Sequence, residues 1–123
     1  MNFNLYVERP WQPRGCWELL RAFYLEQLGI ALPTYAEEYA AGSPRNASAL
    51  VLAESVSWEE VAPGDERPGD GILFRGVPLH VGVVCGNGRM LHMPRSKPSV
   101  IERYRTPLWQ PQLQGFRRHR GVA

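Results

Sequence analysis

Residues 80–92 read HVGVVCGNGRMLH and decide the fold of this chain. Two short apolar runs flank the glycine-rich segment Gly86–Gly88, a pattern typical of a β-hairpin. Similar short runs rich in Val, Ile, Leu or aromatic residues occur before and after it. The sequence therefore predicts five strands in its second half: Gly71–Phe74, His80–Cys85, Met90–Met93, Val100–Tyr104 and Gly115–Arg118.

The register of the hairpin decides whether its two histidines meet. If Gly86–Gly88 is a three-residue loop, Gly82 lies opposite His92, and His80 is the diagonal neighbour of His92 on the same face. Diagonal neighbours lie about 7–8 Å apart at Cα, within reach of two imidazole rings. A two-residue loop would instead put the two histidines on opposite faces.

The first half of the chain has helical spacing. Residues Cys16–Leu28 carry an apolar stripe formed by Trp17, Leu20, Tyr24 and Leu28, and Gly29 is a natural end to that helix. Two shorter helices are expected over residues 34–42 and 47–54, followed by an extended piece at Trp58–Val61. Helices followed by strands predict an α+β fold in a single domain, residues 1–123, with the helices on one face of an antiparallel sheet.

Composition excludes several classes of protein. The chain has 123 residues, 44% hydrophobic and 21% charged, which is ordinary for a globular domain. Its net charge of +2 is too small to indicate nucleic-acid binding. The basic run Arg117–Arg120 is read as a solvated tail or as a patch for an acidic partner. No N-terminal signal pattern and no apolar run of about 18 residues is present, so neither export by a signal peptide nor membrane insertion is predicted.

Cys16 and the two hairpin histidines are the candidate catalytic groups. A cysteine at the first turn of a helix meets the positive end of the helix dipole, which favours the reactive thiolate. A nucleophilic thiol needs a nearby base and a third group that orients it, and His80 and His92 fit these roles. Two buried structural histidines are the competing interpretation. A metal site is not predicted, since no pair of ligands has zinc-finger spacing and no acidic ligand is near either histidine in the sequence.

The chain resembles the NlpC-type cell-wall endopeptidases, a family of papain-like cysteine peptidases. The segments that carry the resemblance keep the family's order, and Cys16 precedes His80 by 64 positions and His80 precedes His92 by 12. These segments are Gly15–Arg21, Pro68–Phe74, His80–Val84 and Gly88–His92. The match extends over nearly the whole chain, and the subgroup it resembles most is encoded with phage and prophage tail genes.

The resemblance implies a papain-like fold and a Cys16, His80, His92 triad without a cofactor. It implies cleavage of peptidoglycan stem peptides, between D-glutamate and diaminopimelate, by a cysteine thiolate. The oxyanion that forms on the substrate carbonyl would be held by backbone N–H groups at the helix start. By the same resemblance, Trp11, Gly15 and Trp17 stand at positions near the substrate or the oxyanion. Trp11 stands where the family usually has tyrosine, and Gly15 stands where it has an acidic residue.

Glu18, in place of a small residue, is a further departure from the family pattern and adds negative charge near the thiol. These departures favour an alternative, a weakly active or inactive structural subunit of a phage tail tip. Another form of acyl transfer, as in an amidase, is a third interpretation. A tail-tip protein made in the host cytoplasm and carried by the virion to the cell wall in the periplasm would need no signal peptide, and its partners would be tail-tip or hub proteins.

Overall fold

One helix and six antiparallel strands make up the regular structure of the residues described by the computed structural model, which are 1–34, 56–76 and 80–122. The helix, α1, spans Gly15–Phe23. The strands are β1 Trp58–Val61, β2 Gly71–Phe74, β3 His80–Gly86, β4 Arg89–His92, β5 Val100–Arg103 and β6 Leu113–His119, and short 3-10 helices occupy Phe3–Tyr6 and Gln110–Gln112. The α+β class is confirmed. The shorter helices expected over residues 34–42 and 47–54 fall almost wholly outside the described residues.

The strands lie in the order β1-β6-β2-β3-β4-β5, and every neighbouring pair is antiparallel. The C-terminal strand β6 is therefore interior, paired with β1 on one side and β2 on the other. This position corrects the interpretation of Arg117–Arg120 as a solvated tail, since most of that run belongs to β6.

The hairpin register places the two histidines as predicted, although the predicted loop is wrong. Gly82 pairs with His92, and His80 lies on the same face of the sheet as His92. The loop has two residues, Asn87 and Gly88, with φ of 56° and 72°. Positive φ at both central residues is the requirement of a type I′ turn, which asparagine followed by glycine meets best.

A β-bulge explains how a two-residue loop leads to this register. Arg89 pairs with Gly86, and the register then shifts before Val84 pairs with Met90. The additional residue, Cys85, is accommodated by Gly86 at φ 99°. The bulge shifts the pairing by one residue and so returns both histidines to one face.

The helical segment that contains α1 ends at the glycine that the sequence predicts, although its last turn is not α-helical. Its last α-helical residue is Phe23, after which Tyr24–Leu28 form a wider π-helical turn. Gly29 ends the helix in the left-handed conformation, at φ 68°. The predicted helix over Cys16–Leu28 is thus present, with a looser final turn.

Both faces of the central strands are buried. The face beneath α1 carries Leu73, Val81, Val83, Leu91 and Met93, packed against Trp17, Leu20 and Phe23 of the helix. The opposite face carries Ile72, Phe74, Val84, Met90 and Phe116, and it is covered by Tyr104 and Trp109 from the β5–β6 connection. Two-sided burial explains why β2 is apolar without alternation.

Candidate active site

Cys16 is the second residue of α1, at the end of the helix that meets the sheet. Arg14, the residue before the helix, adopts a left-handed conformation with φ 62°, which turns the chain into the helix. The thiol is partly buried and lies beside the backbone N–H of Val81, the residue after His80 in β3. The structure therefore brings the cysteine to the start of the strand that carries the first histidine.

Burial decides the protonation of Cys16. Desolvation raises the pKa of the Cys16 thiol, while the backbone N–H groups of Val81, Trp17 and Cys16 itself act to lower it. The helix start was expected to favour the thiolate, but here burial outweighs it. The resting group is a thiol, which needs a base to remove its proton.

His80 and His92 form a direct hydrogen bond on the face opposite α1. His80 Nε2 lies 2.7 Å from His92 Nδ1, and the two rings meet edge to face. His92 is fully buried and His80 is partly exposed. The sequence predicted this neighbourhood, and the structure adds that the contact is made through Nε2 of His80.

Two residues that sequence reasoning did not assign to the site extend this pair. Glu102, on β5, places Oε2 2.7 Å from His92 Nε2. Trp109 donates its indole N–H to Glu102 Oε1 at 3.1 Å and stacks on His80 with centroids 5.6 Å apart. The pairing of Glu102 with Met90 across the sheet puts it on the histidine face, a signal readable only once β5 has a register.

Burial also keeps the histidines neutral. Desolvation and the neighbouring His92 lower the pKa of His80 to about 3. Desolvation likewise lowers the pKa of His92, against the opposing effect of Glu102. A neutral imidazole is the form of histidine that can act as a general base.

These pKa values predict acid sensitivity of the fold. Between its ordinary pKa of about 6.5 and about 3, His80 binds a proton in the unfolded chain and not in the folded one, so stability falls as the pH falls. We expect the free energy of unfolding to drop between about pH 7 and about pH 5, with about 1 kcal/mol due to this partly exposed ring. Urea denaturation at several pH values measures the slope, which His80→Gln should make shallower. An unchanged slope in that variant would contradict the assignment.

Gly82 leaves room for His92. A Cβ at position 82 would lie 2.9 Å from the Leu91 carbonyl oxygen and 3.0 Å from His92 Cβ. We expect Gly82→Ala to cost about 1–3 kcal/mol, because the neighbouring backbone cannot move aside easily. Thermal unfolding measures this loss, and Gly121→Ala, whose Cβ would meet only side chains, is the matched control.

The three remaining candidate residues lie around the helix start. Trp11 is 43% exposed and lines a groove of roughly 500 Å³ together with Arg9 and Gln12. Gly15 is buried against Met93, whose sulfur occupies the space that a side chain at position 15 would need. The Trp17 side chain is 1% exposed in the core and donates its indole N–H to the Pro33 carbonyl at 3.0 Å. At the helix start, Trp17 therefore presents its backbone N–H to the Cys16 thiol and not its indole.

Glu18 does not direct its charge at the thiol. Its carboxylate forms a 2.7 Å ion pair with Arg21 one turn along the helix. Within residues 1–34, 56–76 and 80–122, no group of three or more His, Cys, Asp or Glu side chains is arranged to hold a metal ion. No helix in the same ranges is long and apolar enough to cross a membrane.

Known proteins resemble this chain along nearly all of its length. The model of the NlpC/P60 family matches residues 8–118. Tail tip assembly protein K of Escherichia phage lambda is 33% identical over 110 residues, which are 85% of this chain and 53% of that protein. Gamma-DL-glutamyl hydrolase of Bacillus subtilis (strain 168) is 29% identical over 108 residues, 84% of this chain and 22% of that protein.

A solved structure of an NlpC/P60 protein has the same fold as this chain. The crystal structure of an NlpC/P60 family protein from Bacillus cereus ATCC 10987 superposes with a TM-score of 0.68 at 22% identity, over 95% of this chain and 37% of that one. The chain therefore spans about half or less of the length of these relatives. With a family model that matches 8–118 and the same fold in a solved member, the chain belongs to the NlpC/P60 family.

Proposed function

We propose that this protein is a cysteine peptidase that cleaves peptidoglycan stem peptides, between D-glutamate and diaminopimelate. The observation that carries the proposal is the hydrogen-bonded His80–His92 pair at the start of β3, where the Cys16 thiol lies beside Val81. Two histidines and a helix-start cysteine are the three groups that thiol catalysis needs. Similarity to a gamma-DL-glutamyl hydrolase supports a bond next to glutamate.

The proposed reaction is acyl transfer through Cys16. His80 removes the thiol proton, the sulfur attacks the peptide carbonyl, and the oxyanion accepts hydrogen bonds from backbone N–H groups at the helix start. His80 then gives the proton to the leaving amine, which breaks the C–N bond. Water, deprotonated by His80, releases the acyl group and restores the thiol. His92 orients His80 throughout.

We further propose that the protein acts in a phage or prophage tail tip. Its 33% identity to tail tip assembly protein K of phage lambda supports this context. There it would contact tail-tip or hub proteins and reach the cell wall from the virion, acting in the periplasm.

The experiment is digestion of purified peptidoglycan, with mass spectrometry of the soluble products. We expect wild-type protein to release peptides that begin at diaminopimelate, with D-glutamate left at the new C-terminus of the glycan-linked stem, and protein alkylated with iodoacetamide to release none. Release of peptides that begin at another residue would contradict the proposed bond, and release by the alkylated protein would contradict the thiol mechanism.

A structural tail-tip subunit without activity is the second candidate. The raised pKa of the Cys16 thiol favours it, because a buried protonated thiol is a poor nucleophile until its proton is removed. Absence of any released peptide with wild-type protein, at every pH between about 5 and 8, would favour this candidate over the peptidase.

A further inference from the structure

Glu102 accepts two hydrogen bonds, one on each carboxylate oxygen. Oε2 receives His92 Nε2 at 2.7 Å, and Oε1 receives the Trp109 indole N–H at 3.1 Å. The indole nitrogen is a donor only, and a carboxylate is an acceptor only. In this part of the network, therefore, the Trp109 indole and His92 Nε2 donate, and the Glu102 carboxylate accepts.

The same logic assigns the protons of both histidines. Because the Glu102 carboxylate can only accept, the neutral His92 ring carries its proton on Nε2 and presents a lone pair on Nδ1. His80 Nε2, 2.7 Å from that lone pair, must then be the donor. The proton of neutral His80 is on Nε2, and its Nδ1 is left unprotonated.

We propose that Glu102, held in place by Trp109, is a positioning residue that fixes the tautomers of His92 and His80 and so keeps Nδ1 of His80 available as a base. The side-chain partners of Glu102 are His92 and Trp109. Its effect passes through His92, and the inference that it matters for catalysis rests on the proposed function.

Trp109 contributes more than a hydrogen bond to this arrangement. Its ring stacks on His80 at an interplanar angle of 20° and meets His92 edge to face, with centroids 4.9 Å apart. One side chain thus contacts both histidines and the carboxylate that orders them. Rotation of either ring would break one of these contacts.

A glutamine at position 102 tests the idea because its amide has one acceptor and one donor end. It cannot accept from His92 and Trp109 together. If its oxygen faces Trp109, its NH₂ donates to His92 Nε2, which moves the His92 proton to Nδ1. His80 Nε2 then becomes an acceptor, and the His80 proton occupies Nδ1, where the base should be.

Removing the competing indole should undo this effect. In the double variant Glu102→Gln with Trp109→Phe, the amide oxygen is free to turn to His92, and the original tautomers return. Phenylalanine keeps an aromatic ring for stacking on His80. We therefore expect the second substitution, mildly harmful alone, to be beneficial in the presence of the first.

The experiment combines ¹⁵N NMR of the histidine rings with kinetics of peptidoglycan cleavage. We expect wild-type protein to show protonated Nε2 in His80 and His92, Glu102→Gln to show protonated Nδ1 and to lose about 10–100-fold in kcat/KM, and the double variant to recover both in part. Glu60→Gln, an exposed carboxylate on β1, is the matched control and should change neither.

The outcomes separate this inference from the proposed function. Wild-type tautomers in Glu102→Gln, or a double variant no better than Glu102→Gln, would overturn the inference even if peptidoglycan is cleaved. A tautomer change in Glu102→Gln, with no cleavage by wild-type protein, would uphold the proton arrangement and overturn the peptidase.

Discussion

Replacing Cys16 with alanine is expected to lower the rate of peptidoglycan cleavage by about 10³-fold or more. The thiol supplies the atom that bonds to the substrate carbonyl, and neither His80 nor His92 can replace it in that step. Because Cys16 is only partly buried and packs at the edge of the helix-side core, alanine should leave the fold intact. Peptide release by mass spectrometry measures the loss, and far-ultraviolet circular dichroism checks the fold.

Cys85 offers a matched control within the same chain. It too is a free, partly buried cysteine, but it lies in the β-bulge and burial raises its pKa to about 12. Cys85→Ala should therefore retain cleavage. Loss of activity in Cys85→Ala and retention in Cys16→Ala would contradict the assignment of the nucleophile.

Short-range patterns predicted the elements that hold the site. The apolar stripe of α1 and its Gly29 end were readable because both depend on local spacing. The pairing of Gly82 with His92 was also predicted, but from a three-residue loop that does not exist. The two-residue turn at Asn87 and Gly88 was readable from the Asn-Gly pair, but the compensating bulge at Cys85 was not, because it depends on how the paired strands fix the backbone of Gly86.

The sequence did not predict that Glu102 and Trp109 belong to the site. Glu102 lies 10 positions from His92 on another strand, and its approach depends on the register of β4 with β5. Trp109 lies 29 positions from His80 in the sequence, and no local pattern indicates that it stacks on that ring. The prediction of a thiolate at Cys16 was wrong for a related reason. The helix start is a local feature of the sequence, but the burial that raises the pKa of the thiol arises from the whole fold.

The second large effect is expected at a turn motif that occurs twice. Pro-Gly-Asp ends at Asp65 and again at Asp70, and the sequence does not distinguish them. The Asp65 side chain is exposed, whereas Asp70 is 1% exposed and accepts Nε and Nη2 of Arg118 at 2.9 and 2.8 Å. Asp70 also caps the turn by accepting the Arg67 backbone N–H at 2.8 Å.

We expect Asp70→Asn to lower the free energy of unfolding by about 3–5 kcal/mol. The amide retains the size of the side chain but turns a donor toward Arg118, so a guanidinium that is mostly buried loses a charge-assisted partner. A domain of this size has about 5–15 kcal/mol in total, so the loss would remove much of its stability. Urea denaturation of Asp70→Asn beside Asp65→Asn, the matched control expected to change little, measures it.

The ion pair joins the start of β2 to the interior strand β6, and a double-mutant cycle tests whether the loss arises there. Arg118→Leu alone leaves Asp70 buried without its cation, and should cost as much as Asp70→Asn. Once Asp70 is asparagine, the same leucine removes a group that has already lost its partner, and should cost much less. Costs that simply add would mean that Asp70 stabilises the fold through the turn at Arg67 and not through Arg118, and the role assigned to the buried pair would be wrong.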